Sequence, residues 1–321
     1  MTAIHLIHEN PAWLPPFAAA FEARGLPWRD WDLSAGTFDL SRPPPEGVFY
    51  SRMSASSHTR GHAAAPALTG AVLAWLERHG RRVVNGGRAL DLEVSKARQY
   101  AALEDAGIAV PRTVAVTGDG VAVVAAADRH FGGGAVILKP NRGGKGLGVR
   151  LFADSAALAA FLAQLPADEA PVDGLWLLQA HIRAPRPVIT RAEFVGSRFL
   201  YAVEVDTSGG FELCPADVCE IGDAACPAEA PAPKFRITDP ADPALIRRIE
   251  AFLAANAIEI AGVEFIRDAS GSAYVYDVNT NTNYNPDAEA AVGIAGSDAS
   301  GPGGVAAFLG RELAALRREA A

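Results

Sequence analysis

The sequence predicts a mixed fold, an α/β unit at the N-terminus followed by two α+β units. Three observations predict it. Strand-like and helix-like segments alternate over residues 1–93, as in a parallel sheet covered by helices. An apolar strand at 136–139 enters a glycine-rich turn and leaves it as another strand at 149–152. Near the C-terminus two strands, 262–267 and 273–279, precede a helix with Val305, Phe308, Leu309, Leu313 and Leu316 on one face. A chain of 321 residues holds two or three compact units. The expected divisions are 1–93, 94–175 and 176–321.

Each element has a local reason. Residues 4–7 are apolar and end at the polar corner His8-Glu9-Asn10. Residues 14–24 carry Phe17 and Phe21 on one helical face and stop at Gly25. Val48-Phe49-Tyr50 is a strand after Pro43-Pro44-Pro45; 67–79 is a helix ended by Gly80, and Val83-Val84 opens the next strand. Ser95 caps a helix that Gly107 closes. Residues 121–127 and 135–138 are apolar and rich in strand formers around Gly132-Gly133-Gly134. Asp154 caps a helix that ends by Pro166, and 175–178 opens the third region. Strands at 191–194 and 198–205 form a hairpin across Gly196-Ser197. Residues 222–236 are a Pro/Ala-rich loop expected to be mobile, and a helix follows at 243–255. That loop and the Gly/Ser-rich stretch 296–304 are expected to fold over a substrate.

Composition excludes several classes. Half the residues are hydrophobic and 21% are charged, so the chain can bury a large core. Lys and Arg number 29 against 37 Asp and Glu, a net charge of −8, which argues against a nucleic-acid partner. No apolar run is long enough for a membrane span. The N-terminus lacks the pattern of a signal peptide, and Cys214, Cys219 and Cys226 are too few for a disulfide framework. A cytoplasmic protein with reduced thiols is expected.

Four segments carry chemistry. In the strand Tyr274-Val275-Tyr276-Asp277-Val278-Asn279, Asp277 and Asn279 are two apart and share a face. A two-residue turn before it places Glu264 directly opposite Asp277, and a four-residue turn keeps it on the same face. An odd-numbered loop would break the cluster. Three such oxygen donors suit a hard cation such as Mg²⁺; the plain alternative is a solvated sheet face. In the second segment Lys139 ends a strand and enters Gly143-Gly144-Lys145-Gly146. Glycines there let backbone N–H groups approach phosphate oxygens, whereas an ordinary hairpin turn is the alternative. The third places Lys96 in the first turn of a helix, against the dipole, which an anionic partner would explain, although on its own an ordinary surface lysine is the better reading. The fourth, Leu177-Leu178-Gln179-Ala180-His181-Ile182, runs from an apolar strand to a polar edge that suits an adenine ring.

Together and in this order, these segments resemble the ATP-grasp superfamily and, within it, the RimK-type alpha-L-glutamate ligases. The resemblance covers nearly the whole chain, including Phe49-Tyr50-Ser51-Arg52-Met53 and Arg82-Val83-Val84-Asn85-Gly86. It implies a Rossmann-like pre-ATP-grasp domain, a small central lid domain and a C-terminal α+β domain. It implies ATP and two Mg²⁺ ions, with Mn²⁺ as a substitute. Lys96 and Lys139 would contact the phosphates, and the loop with Gly143, Gly144, Lys145 and Gly146 would close over them. Gln179, Ala180 and Ile182 would line the adenine pocket. Glu264, Asp277 and Asn279 would hold the metal, and Arg191 would face the reacting carboxylate. The implied activity is ADP-forming C–N ligation through an acyl phosphate, adding glutamate or a similar amino acid. A small-molecule or peptide carboxylate and an amine would be the partners, and the oligomeric habit of relatives implies a homo-oligomer.

The sequence departs from that pattern in places. Thr190 stands where an acid usually precedes the arginine, Ala180 replaces a glutamate, and the loop from Asn279 to Asn285 lacks the usual Ser-Pro-Gly ending. Arg52 and Arg60 are expected to clamp a substrate carboxylate, with Asn281 and Asn283 nearby. Arg191, Lys139 and Arg52 are thus the catalytic candidates. His58 and His62 are four apart, but the pattern lacks the glutamate of a zinc-protease motif. Two other functions fit the same segments. One is a nucleotide-binding sensor or scaffold, the other a phosphotransferase that stops at a phosphorylated product.

Overall fold

A computed structural model describes residues 2–144, 146–166, 169–208, 234–239 and 242–319. The N-terminal unit contains β1 (Ala3–His8), α1 (Pro15–Ala23), β2 (Trp28–Asp32), β3 (Gly47–Ser51), α2 (Ala65–Arg78) and β4 (Arg82–Val84). Its four strands are parallel in the order β2-β1-β3-β4. β1 is buried along its whole length because both faces are covered. Ile4 and Leu6 pack on Phe17 and Phe21 of α1, and Ile7 packs on Val72, Leu73 and Leu76 of α2. No sequence pattern announces β2, Trp-Arg-Asp-Trp-Asp, a largely exposed edge strand without apolar alternation.

Next come α3 (Gly87–Glu93), α4 (Lys96–Asp105), β5 (Thr113–Val116), α5 (Gly120–Phe131), β6 (Val136–Pro140), β7 (Arg150–Phe152), α6 (Ser155–Leu162) and β8 (Trp176–Ala180). The central sheet is antiparallel, ordered β5-β8-β6-β7, and α5 and α6 cover one face. The strand-like run at 121–127 forms α5 instead. Asp119 accepts a hydrogen bond from Ala122 N at 3.0 Å, and Gly132 ends the helix at φ 64°. Val123 and Ala127, four apart, are the buried pair, so helical period overrides the strand preference of valine.

The strand expected to open the third region, now β8, hydrogen-bonds within the central sheet. Its two faces serve different cores. Trp176 and Leu178 pack with Val123 and Leu158, whereas Leu177 packs with Tyr100, Leu103 and Val263. α3 and α4 likewise lie on the C-terminal sheet rather than on the central one.

The C-terminal unit comprises β9 (Val188–Val195), β10 (Arg198–Asp206), β11 (Phe235–Thr238), α7 (Pro243–Ala255), β12 (Ile260–Arg267), β13 (Ala273–Asn279), α8 (Pro286–Ala291) and α9 (Gly301–Glu319). Its sheet is antiparallel, β11-β10-β9-β12-β13. The β9–β10 turn falls at Gly196 and Ser197, both at positive φ (63° and 57°). β11 takes up the last residues of the expected 222–236 loop; residues 222–233 and the three cysteines lie outside the described residues. Of the Gly/Ser-rich stretch 296–304, expected to fold over a substrate, residues 301–304 form the start of α9 and 296–299 are exposed. A Cβ on Gly301 would lie 2.1 Å from the Tyr284 ring, so glycine is needed for that packing. Among the described residues no helix is long and apolar enough to cross a membrane.

Candidate active site

A cleft of about 980 Å³ opens between the central and C-terminal sheets. Lys96, Lys139, Gly143, Gly144, Gly146, Gln179, Ala180, Ile182 and Asp277 all line it, so segments far apart in sequence meet there. Lys145 lies outside the described residues.

Lys139 stands on β6 and is buried to 4% exposure. Its ammonium donates to Tyr100 Oη at 2.6 Å and to Gln179 Oε1 at 2.9 Å. Burial, reinforced by the neighbouring Lys96 and opposed by Asp277 and Glu264, brings its pKa down to about 7. The Gln179 side chain, expected to serve an adenine pocket, is engaged in orienting Lys139 and also donates to Thr113 Oγ1 at 2.8 Å. Lys96 is the first residue of α4, and Ser95 caps that helix. Its ammonium pairs with Asp277 Oδ1, which supplies the anionic partner missing from the sequence.

β12 and β13 carry the oxygen donors. Glu264 pairs directly with Asp277 in register, as expected. The route is different, because Arg267 opposite Ala273 leaves a five-residue loop, 268–272, an odd number. A β-bulge restores the parity: Phe265 pairs with Val275, Glu264 with Asp277, and Tyr276 is the extra residue. Asp277 lines the cleft, while Glu264 and Asn279 are absent from its lining. Among the described residues no group of three or more His, Cys, Asp and Glu is placed to hold a metal. The donor set is therefore two carboxylates and an amide, which fits Mg²⁺ only if phosphate oxygens and water complete its shell.

Arg191 is on β9, directly opposite Glu264. It donates from Nε to Glu193 Oε1 at 2.7 Å, from Nη1 to Glu264 Oε1 at 2.8 Å and from Nη2 to Thr282 Oγ1 at 2.5 Å. Burial would lower its pKa, but the surrounding carboxylates more than offset this and raise it. Burial pushes the Glu264 carboxyl up, and Arg191 opposes that shift. Arg191 does not line the cleft; it lies flat over Gly262, where a Cβ would come within 2.7 Å of Nε and Nη2.

The expected carboxylate clamp is not formed. Arg52 is fully buried, donating to Trp13 O at 3.1 Å, Thr282 O at 2.8 Å and Asn283 Oδ1 at 2.9 Å. Arg60 already forks onto Glu9, at 3.2 Å from Nε and 2.5 Å from Nη2. Both arginines are engaged inside the fold, and neither lines the cleft, nor do Asn281 and Asn283. His62 Nδ1 is 3.0 Å from Glu9 Oε2, and no zinc-type cluster forms with His58 among the described residues.

Three contributors escaped the sequence. Glu193 shares the face of Arg191 two residues on, a period-2 relation that could have found it. Tyr100 receives Lys139 and donates to Tyr276 O at 2.7 Å. Glu93, buried at the end of α3, accepts from Ala55 N at 3.2 Å and from Thr280 N at 2.7 Å. No local pattern marks these last two.

A parallel α/β unit followed by two facing antiparallel sheets, with lysines and a glycine turn around the cleft between them, is the ATP-grasp fold. Solved structures of that fold match nearly the full chain. A RimK domain ATP-grasp protein from Sphaerobacter thermophilus is 17% identical, with a TM-score of 0.65 over 96% of this chain and 99% of its own. The ATP-grasp ligase PsnB, in a complex with a minimal precursor, Mg and ADP, is 16% identical, with a TM-score of 0.63 over 97% of each chain. D-alanine–D-alanine ligase from Bacillus anthracis is 14% identical, with a TM-score of 0.63 over 100% of each. No family model and no curated protein matches the chain.

Proposed function

We propose that the protein is an ATP-dependent carboxylate–amine ligase. The observation that carries the proposal is the convergence of Lys96, Lys139, the glycine turn and Asp277 on one cleft. The ATP-grasp ligases of the same fold, among them one solved with Mg and ADP, support it.

A carboxylate resists amines because its oxygen is a poor leaving group. Transfer of the γ-phosphoryl group of ATP to that oxygen gives an acyl phosphate and ADP. The amine then attacks the carbonyl carbon, phosphate departs with the C–O bond electrons, and the amine loses a proton. The protein's share is placement and charge compensation. Lys96 and Lys139 bind phosphate oxygens, with Lys96 leaving Asp277 for them. The backbone of Gly143 and Gly144 lies against the nucleotide and shields the acyl phosphate from water. Asp277, with Glu264 and Asn279 behind it, would hold Mg²⁺, which when bound neutralises charge on the phosphoryl group. Arg191 orients Glu264 and favours its ionised form against the effect of burial. The wall at Gln179, Ala180 and Ile182 takes the base.

The test is release of ADP and phosphate that requires both a carboxylate and an amine, screened over free amino acids and short peptides. Hydroxylamine should trap the acyl phosphate. Asp277→Ala should remove ligation and leave the melting temperature nearly unchanged. One feature favours a second function, a nucleotide-binding sensor: Arg191 is tied up on three sides and does not line the cleft. Nucleotide binding with no turnover on any acceptor would select the sensor.

A further inference from the structure

Thr282, in the polar loop after β13, is fully buried and hydrogen-bonded through both its side chain and its carbonyl. Its hydroxyl accepts from Arg191 Nη2 at 2.5 Å and donates to Glu193 Oε2 at 2.8 Å. The direction is fixed, because a guanidinium only donates and the single threonine proton must go to the carboxylate. Arg191 Nε donates to Glu193 Oε1 at 2.7 Å, which closes a ring of three side chains. The Nε–Nη2 edge of the guanidinium is thereby pinned. Its remaining nitrogen, Nη1, donates to Glu264 Oε1 at 2.8 Å.

The backbone that presents this hydroxyl is held from elsewhere in the chain. Thr282 O accepts from Arg52 Nη2 at 2.8 Å, and Arg52 Nη1 donates to Trp13 O at 3.1 Å. Two residues earlier, Thr280 N donates to Glu93 Oε2 at 2.7 Å and Thr280 O accepts from Asn85 Nδ2 at 3.1 Å. Arg52, Asn85 and Glu93 are all buried. A line of contacts thus runs from the N-terminal unit through Thr282 and Arg191 to Glu264, the carboxylate opposite Asp277. Thr282 itself does not line the cleft, so it acts through Arg191. Valine would fill nearly the same space but leave a buried guanidinium N–H and a carboxylate oxygen without partners.

We propose that Thr282 is a positioning residue: its hydroxyl sets the plane of Arg191, and through Arg191 the orientation in which Glu264 is offered to a divalent cation. The inference rests on the ligase reading for the cation and deepens it by assigning Arg52 and Thr282 a shared task behind the carboxylates.

The experiment measures Mn²⁺ binding to the ADP complex of the full chain, read from loss of the free-ion electron paramagnetic resonance signal. Thr282→Val should weaken Mn²⁺ by about tenfold or more, as for other losses of an outer hydrogen bond behind a metal ligand. Metal-free ADP affinity should stay unchanged. Thr282→Ser, which keeps the hydroxyl, should bind Mn²⁺ as the wild type does. Should Thr282→Val not fold, Thr282→Cys, of similar size but a weak donor and acceptor, should show an intermediate loss. A Thr282→Val protein that melts lower yet binds Mn²⁺ like the wild type, or one that loses metal-free ADP affinity to the same degree, has a merely structural defect and overturns the proposal. Wild-type protein that binds ADP but no Mn²⁺ overturns it too. The ligase reading fails separately: the expected Mn²⁺ pattern with no ligation on any acceptor upholds the role of Thr282 and favours the sensor. Ligation by a wild type whose Mn²⁺ affinity is indifferent to Thr282→Val keeps the ligase and removes the positioning role.

Discussion

Lys139 shows how a single residue can be set by its surroundings. Its ammonium has a hydroxyl and an amide oxygen for hydrogen-bond partners, neither of them charged, and its pKa falls to about 7. A phosphate arriving beside it favours the charged form. The free protein loses this charge as pH rises through about 7, whereas the complex keeps it. Affinity for ADP is therefore full below that pH and should fall by up to about tenfold per unit above it. Calorimetry in buffers of different ionisation enthalpy, between about pH 7.5 and 9, should register net proton uptake on binding. Lys139→Met should abolish both effects; a flat affinity over that range for the wild type would refute the assignment. Gly262 makes a complementary case, since its missing side chain is the space that Arg191 fills. Gly262→Ala should cost about 1–3 kcal/mol in denaturant unfolding by overpacking, and should impair ligation by displacing Arg191 from Glu264.

At the scale of elements, α5 is the instructive failure. Three valines suggest a strand, yet the decisive signals are Asp119 at its start and Gly132 at its end, both visible in the sequence. Asp119→Ala should destabilise the chain by about 1 kcal/mol in a thermal or denaturant melt. Other elements are legible because their signals are local. Ser95, Asp154 and the Gly196-Ser197 turn each act within a few residues. The facing of Glu264 and Asp277 is legible too, although the bulge at Tyr276 that permits it is not, since bulges answer to neighbouring strands. Arg52 and Arg60 mislead for a related reason. A sequence reveals that a guanidinium is present, but not that Trp13 O, Thr282 O and Glu9 have already claimed it.

Across the whole molecule, the site is assembled by contacts between units. Glu93 joins residues 54–63 to the end of β13, and Asn85 donates to Ile260 O and Thr280 O at 2.7 and 3.1 Å. Glu93→Gln would turn an amide N–H₂ toward a backbone donor and should cost about 1–3 kcal/mol, measured by chemical denaturation. Nucleotide affinity should fall with it, because Lys96 begins the next helix. The position of β8 has a mechanical meaning as well. Its alternate side chains are sunk into two separate cores, so neither sheet can slide away from it without exposing apolar surface. A rotation about the strand would leave both sets of contacts more nearly in place than a slide. β8 would then serve as an axle: Gln179 and Ala180, lying on it, would stay nearly still while the far rim of the central sheet swings through the widest arc. A base held there would be gripped throughout the stroke, and the phosphates would feel the jaws open and shut.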